Sequence, residues 1–496
     1  MMAIFQTVTS LPQAADYVRI LPEIVLSIFG MIIMLLDPIM DERRSQRTLG
    51  LVGLVGTIAA LAATVYQAQV KFWGLGFFGM IKVDAFSVFF HFVVIAVTLL
   101  VILSSYEYME VQQIRAGEYY GLILFGAVGM ALMSSAMELV LIFIALEISS
   151  ISTYILAGFR RGSAISSESS IKYFLLGSFA TAFFLYGVAL MFGATGSTSI
   201  DRISAALAEY AGTGHGPLLA YLGVALMFVG LGFKVAAAPF HVWTPDVYEG
   251  APSPVVGFMS TAPKAAVFAV LLRIIFEIHA PGGPWLIWVA AALSMSIGNI
   301  AALVQDNVKR LLAYSSIAHA GYLLVAFASL PANGIPAAMF YTASYAAMNV
   351  GAFAVIGHFA GAGERFVTME DYEGLGKRSP VLAAILTVFL LSLIGIPITG
   401  GFFAKFYVFS AALQGHHPLI GLVIIGVINS GVAAYYYLRV IVVMYMREPR
   451  DEEAPVAPIS TGLGFALGLS LAATFFLGVY PNPVLKYAAL SVGLLH

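Results

Sequence analysis

Apolar runs of roughly 20 residues recur along the whole sequence, the length an α-helix needs to cross the hydrocarbon of a bilayer. Length and hydropathy place about fourteen of them, at 20–39, 49–68, 86–105, 119–135, 137–158, 170–193, 218–238, 253–278, 285–304, 310–330, 335–360, 381–411, 418–446 and 461–479. Of the 496 residues, 60% are hydrophobic and only 10% charged. A soluble domain carries about 25% charged residues, so this chain cannot cover itself with a water-facing surface. The sequence therefore predicts an all-α polytopic membrane protein. Its first 20 residues lack a basic start followed by an apolar run, so no cleavable signal peptide is expected.

The loops divide by charge. Odd-numbered loops hold Arg43, Arg44, Arg47, Arg115, Arg160, Arg161, Lys309, Arg310, Arg365, Lys377, Arg378, Arg447 and Arg450; even-numbered loops hold only Lys71, Lys82 and Arg202. Positive loops stay in the cytoplasm, which predicts a multi-pass protein of the bacterial inner membrane with both termini on the periplasmic side. A net charge of −2 gives no basic surface for nucleic acid, and with no cysteine there are no disulfides, cysteine-ligated clusters or thiolate chemistry. No metal site and no cofactor site is expected in this chain.

A weak internal repeat is present. The stretch from Ala145, ALEISSISTYILAGF, lies over the one from Ala313, AYSSIAHAGYLLVAF, so that Tyr154/Tyr322, Leu156/Leu324 and Phe159/Phe327 coincide. The same offset brings Lys234 within a few residues of Lys405. Spans 4–8 then pair with spans 9–13. Because five is odd, the two sets are inverted, an arrangement typical of transporters with a working site near mid-membrane. The predicted division is 1–117 (three helices), 118–280 and 281–447 (the two repeats) and 448–496 (a final helix).

Charges at membrane depth need a reason, since each costs about 2.5–3.5 kcal/mol on insertion scales. Glu147 falls in the middle of span 5, among the hydroxyls of Ser149, Ser150, Ser152 and Thr153. Lys234 falls late in span 7, before Pro239, Pro245, Pro252 and Pro254, so a break just after it is expected. Lys264 sits mid-span 8, directly after Pro263. Lys405 follows Pro397, Gly400 and Gly401, which predict a second break in span 12. A lysine in low dielectric holds its proton weakly and a nearby carboxylate strengthens the hold, so one acid and three lysines suit a proton relay. His319 is a candidate bridge between the halves, and equally a core histidine. His241, just past the first break, is a candidate link to water; Lys172 opens span 6 and takes a minor role; Glu138 is interfacial. Arg273 and Glu277, four apart, are expected to pair structurally. His91, His319 and His358 show no facing pairs of the kind a haem needs.

Three stretches carry a resemblance: LGFKVAAAPFHVWTPDVYEGAPSPVVGFMSTAPKAA (Leu231–Ala266), VKRLLAYSSIAHAGYLL (Val308–Leu324) and GIPITGGFFAKFYVF (Gly395–Phe409). In order and content they resemble the antiporter-like subunits of respiratory complex I, and the resemblance runs the length of the chain. Within that family, Lys405 sets it apart from the branch with a glutamate there, and its short end from the branch with a long lateral helix. The resemblance implies two half-channels joined by a polar axis, with Glu147, Lys234, Lys264 and Lys405 matching the family's axis residues. It also implies neighbouring membrane and peripheral subunits as partners, and places NADH, FMN, iron–sulfur clusters and quinone in those other subunits. The alternatives are a subunit of an Mrp-type cation/proton antiporter, a membrane subunit of a related hydrogenase or dehydrogenase, and a purely structural anchor. The last leaves four buried charges unexplained.

Overall fold

The computed structural model describes residues 11–40, 42–70, 73–114, 117–211, 218–278, 283–329, 331–414, 418–449 and 457–492. Lys71, Arg115 and Arg450 lie outside the described residues, as do the side chains of Arg43, Arg44 and Glu277. Each predicted span corresponds to a helical element. These are α1 (Leu21–Leu36), α2 (Glu42–Val70), α3 (Ala85–Val111), α4 (Glu118–Ser135), α5 (Leu139–Ala157), α6 (Ala164–Thr195) and α7 (Leu218–Val235). There follow α8 in two pieces (Ser253–Met259 and Ala262–Ile278), α9 (Gly283–Leu303), α10 (Val308–Phe327) and α11 (Pro331–Phe359). Last come α12 in two pieces (Pro380–Ile394 and Gly400–Leu413), α13 (Ile420–Met446), α14 (Thr461–Val479) and the short α15 (Asn482–Val492). Among the described residues, 12 helices are long and apolar enough to cross a membrane; α4 and the two pieces of α12 fill the remaining positions.

Side chains close the helix ends that lipid cannot. Glu138 caps α5 by accepting from Leu141 N at 2.7 Å, and Asn307 caps α10 by accepting from Arg310 N at 3.1 Å. Gly196, at φ 70°, ends α6 in the left-handed conformation that lacks a Cβ penalty. A two-stranded hairpin, β1 (Gly74–Gly76) and β2 (Ile81–Val83), joins α2 to α3. Hydropathy gave no sign of it, because its strands are only three residues long. Ile20 and Tyr487 of α15 pack on this hairpin, so both flanking segments lie on one face.

The opposite face gathers the odd loops. Arg47 pairs with Glu110 at 2.6 Å, Arg310 with Asp246 at 2.8 Å, Lys377 with Glu448 at 2.8 Å and Arg447 with Glu373 at 2.7 Å. Each pair ties together different odd loops, so the charge division read from sequence is a division between two faces.

The repeat is visible as matched packing. α4 packs on α5 and α8, α5 on α6, and α6 on α7; correspondingly α9 packs on α10 and α13, α10 on α11, and α11 on α12. Backbones approach closely at equivalent places. A methyl on Gly129 of α4 would stand 2.5 Å from Ala145 O of α5, and one on Gly298 of α9 would stand 2.6 Å from Ala318 N of α10. Small residues permit such contacts in membranes, where dispersion rather than hydrophobic burial holds helices together. α8 runs through the middle, with every residue from Ser253 to Ile274 buried.

Candidate functional site: a buried polar axis

α7 ends at Val235, one residue after Lys234. Ala236 then takes φ +61°, a conformation costly for a residue with a Cβ and held here by its surroundings. Ala237 N donates to Gly232 O at 2.8 Å, Trp243 Nε1 donates to Phe233 O at 2.9 Å, and Ala238 N donates to Ser294 Oγ of α9 at 2.8 Å. The backbone groups released by the break are thus met from the loop and from the second repeat, as irregular backbone at membrane depth requires.

Lys234 is buried, and its Nζ donates to the Tyr154 hydroxyl of α5 at 3.2 Å. The ammonium stands 4.5 Å from the centre of the Tyr154 ring and 4.9 Å from that of Tyr173 on α6, with Tyr173 stacked on Trp243 at 4.4 Å. Aromatic faces attract a desolvated cation. Glu147 lies two turns before Tyr154 on the same face of α5. Its charge interacts with Lys234, but the two form no ion pair, and Glu147 Oε1 is buried without a hydrogen-bond partner. The nearby hydroxyls do less than the sequence suggested. Ser150 donates to Leu146 O at 2.5 Å, Ser152 to Ile148 O at 2.9 Å and Thr153 to Ser150 O at 2.9 Å. Such hydroxyls bond back to their own helix backbone, which leaves only their acceptor capacity for a proton path.

Lys264 projects from buried α8 into the second repeat, where Nζ donates to Ser316 Oγ at 2.6 Å and Ser316 O at 3.0 Å on α10. With Ser253–Ile274 of α8 inside protein, this lysine has no interface to snorkel to. Tyr345 of α11 donates to the same Ser316 Oγ at 2.8 Å. Tyr248, in the short helix Thr244–Gly250, has a buried hydroxyl without a hydrogen-bond partner. Its ring meets Trp243 at 6.0 Å, on the Lys234 side of the axis.

The second break opens at Gly395, φ +96°, and α12 resumes at Gly400. Lys405 therefore follows its break, whereas Lys234 precedes its own. Lys405 Nζ donates to Ile394 O, an orphan carbonyl of the broken helix, at 2.8 Å and to Ser430 Oγ of α13 at 2.7 Å. It stands 4.8 Å from the ring centre of Tyr322, the residue the repeat aligns with Tyr154. His319, one turn before Tyr322 and buried, lies between two tyrosines: Nδ1 is 2.7 Å from the Tyr341 hydroxyl and Nε2 is 3.4 Å from that of Tyr437. Tyr437 in turn shares a hydrogen bond with Ser315.

The remaining candidates lie elsewhere. Lys172 is at the odd-loop face, 40% exposed, bonded to Glu168 at 2.7 Å and Asp246 at 2.6 Å. His241 lies in the loop past the break, with Nδ1 buried and without a hydrogen-bond partner. Arg273 donates to both carboxylate oxygens of Asp84 at 3.2 Å and to Ser134 O at 3.2 Å. The expected partner of Arg273, Glu277, has its side chain outside the described residues; Asp84 begins α3, far from it in sequence, and no helical spacing could point to it.

A further carboxylate escaped the sequence reading. Glu364, in the polar stretch 361–379, is buried and has φ +48°. Its Oε2 accepts from Lys309 at 2.7 Å and Arg160 at 3.0 Å; its Oε1 accepts from Ser253 N at 2.7 Å and Tyr108 at 2.9 Å. Burial pushes its carboxyl up, but the charges of Lys309 and Arg160 and the hydrogen bonds outweigh that and hold it below the ordinary glutamate value. This one carboxylate joins α3, loop 5, the start of α8 and α10. The only hint in sequence was the adjoining Gly361 and Gly363, both at positive φ.

Comparison with known proteins agrees with this architecture. The family model for the NADH:quinone oxidoreductase/Mrp antiporter transmembrane region matches residues 136–433. NADH-quinone oxidoreductase subunit N 2 of Koribacter versatilis is 64% identical over 480 residues, 95% of this chain and 96% of the relative. Subunit N 1 of Solibacter usitatus is 48% identical over 479 residues, 96% and 97% of the two chains. A chain of respiratory complex I from Thermus thermophilus with bound aureothin superposes with TM-score 0.77 at 37% identity, covering 94% of this chain and 99% of its own. The chain thus belongs to the NADH:quinone oxidoreductase/Mrp antiporter membrane family, as an antiporter-like, proton-translocating membrane subunit of the complex I type, similar to subunit N.

Proposed function

We propose that Glu147, Lys234, Lys264 and Lys405 form the path by which this subunit carries protons, with His319 as the relay between Lys264 and Lys405. The observation that carries the proposal is the pair of matched lysines, each buried over the equivalent tyrosine of an inverted repeat, with Lys264 between them. None of the three lysines is ion-paired; hydroxyls, carbonyls and ring faces hold them. Their proton occupancy is then open to control by a movable charge. Approach of the Glu147 carboxylate favours a proton on Lys234, and its withdrawal releases that proton toward Tyr248 and Lys264. On the far side, Ser316, Tyr345 and His319 pass it to the surroundings of Lys405.

In this reading 118–280 and 281–447 are the two half-channels, 1–117 is a three-helix flank, and 448–496 closes the chain with α14 and, beyond the single helix expected from sequence, the short α15. The chain itself is a non-redox subunit. NADH, FMN, iron–sulfur clusters and quinone are handled by neighbouring subunits, and the absence of cysteine is in keeping with that. The cation-rich face is cytoplasmic by the positive-inside rule, so the hairpin face and both termini are periplasmic in a bacterial inner membrane. The test is to tag the chain, extract it gently and assay what accompanies it. Co-purification with a flavin- and cluster-containing complex that oxidises NADH and reduces quinone supports the reading. Co-purification with small membrane proteins alone, with sodium-dependent exchange, replaces it with the antiporter alternative.

A further inference from the structure

A second titratable site lies outside the axis, in the flank formed by α1–α3. His91 of α3 and Glu23 of α1 are both buried, with His91 Nε2 3.3 Å from Glu23 Oε1. The same Nε2 lies 3.1 Å from Ala131 O of α4. The carbonyl can only accept, which places a proton on Nε2, and Glu23 Oε1 stands beside it without a hydrogen bond. Three polar atoms of the pair are then left over: Glu23 Oε1 and Oε2, and His91 Nδ1, all buried without hydrogen-bond partners. Buried polar atoms are almost always satisfied, and a carboxylate in apolar surroundings is costlier than most.

The unmet groups continue toward the hairpin face. Gln67 of α2 donates to Val18 O and Arg19 O, each at 2.9 Å, just before α1, while its Oε1 has no hydrogen-bond partner. The Tyr487 hydroxyl of α15 is buried and lacks one too, and this residue packs, with Ile20 and Ala68, on the cluster of Ile81, Val83 and Val88, the last of them one turn from His91. The charged groups nearest this face on the surrounding elements have partners of their own or stand in the hairpin. Asp16 pairs with Arg19 at 2.9 Å, Asp84 pairs with Arg273 at 3.2 Å, and Lys82 lies on β2. No other cation pairs with Glu23 among the described residues.

We infer that Glu23 and His91 together bind one exchangeable proton, exchanged with water on the side of the hairpin face. With the proton absent the pair is neutral imidazole and carboxylate. With it present, taken from water, the pair is either imidazole and carboxylic acid or imidazolium and carboxylate, and its net charge is zero. The site lies outside the lysine axis and does not depend on it.

The test is a pH-jump infrared difference spectrum of the purified complex, comparing the parent with Glu23→Gln and His91→Gln. The expected result is a titrating carboxyl signal that Glu23→Gln abolishes and His91→Gln moves by at least tenfold in proton concentration. If Glu23→Gln does not assemble, the His91→Gln shift alone decides. Spectra superimposable on the parent's across the pH range, in whichever variant assembles, overturn the proposal.

Discussion

In the first repeat, Lys234 stands 4.5 Å from the Tyr154 ring centre, and two turns before that tyrosine on α5 is Glu147. In the second, Lys405 stands 4.8 Å from the Tyr322 ring centre, and the position two turns before that tyrosine on α10 is Ser315. The aromatic seat is common to both. The acid belongs to one. Where Glu147 sits with an unpaired oxygen, Ser315 bonds to Tyr437, and His319 and Tyr341 fill the space beside it. A charge can govern the first lysine from a distance, whereas neutral hydroxyls and one imidazole surround the second. In the proposed path, the repeat thus keeps the holder of the proton and varies what drives it.

The largest effect expected is from the holders themselves. Lys234→Ala and Lys405→Ala should each reduce proton translocation by at least about tenfold, the scale of a positioned proton-transfer group, while the complex still assembles. Proton uptake by reconstituted vesicles checks this; full translocation in both variants would sink the common role. The driver comes next. Glu147→Gln keeps the shape of the side chain and removes its charge, and should cost less than Lys234→Ala. Ser315→Gln, at the equivalent place in the second repeat, should leave translocation within about twofold if no charge is needed there. Equal losses from these two substitutions would erase the contrast between the repeats.

Smaller and of another kind is the effect at Glu364, which joins the two repeats at the cation-rich face. Glu364→Gln leaves Lys309 and Arg160 without their carboxylate and should destabilise the assembled subunit by about 3–5 kcal/mol, read as a lowered unfolding temperature. Its carboxyl is held below the ordinary value, so its contribution is present above about pH 4.3 and is lost as pH falls through the lower folded value. The variant should lose that part of the acid sensitivity. The smallest effect is at Lys172, whose partner Asp246 also bonds Arg310. Lys172→Ala should leave both the unfolding temperature and the rate of translocation near the parent's, as for other exposed ion pairs.

These residues also mark how far the sequence could be read. The spans were legible because lipid permits few alternatives to a continuous apolar helix, and Pro239 and Pro397 announced the breaks. Glu147, Lys234 and Lys264 stood out because each is a lone charge in an apolar run. Glu364 did not, since it sits among polar neighbours and becomes buried only when α3, loop 5, α8 and α10 close around it. Asp84 and Arg273 meet across 189 positions, beyond any helical spacing. The back-bonding of Ser150 and Thr153 was hidden for a different reason, because residue type gives a hydroxyl's presence and only the fold gives its direction. Tyr341 and Tyr437, which flank His319, were readable in part: the offset that pairs Tyr154 with Tyr322 also pairs Tyr173 with Tyr341.

Lys264 is where the account is most exposed, because among the four axis residues it alone bonds from one repeat to the other, through Ser316. The measurement is the number of protons translocated per NADH oxidised in vesicles carrying the complete complex with Lys264→Met, whose side chain is of similar length and cannot carry a proton. A ratio clearly below the parent's, in a complex of normal composition, is the predicted result. A ratio equal to the parent's, at an undiminished rate of NADH oxidation, would contradict a proton path that crosses between the repeats at this lysine.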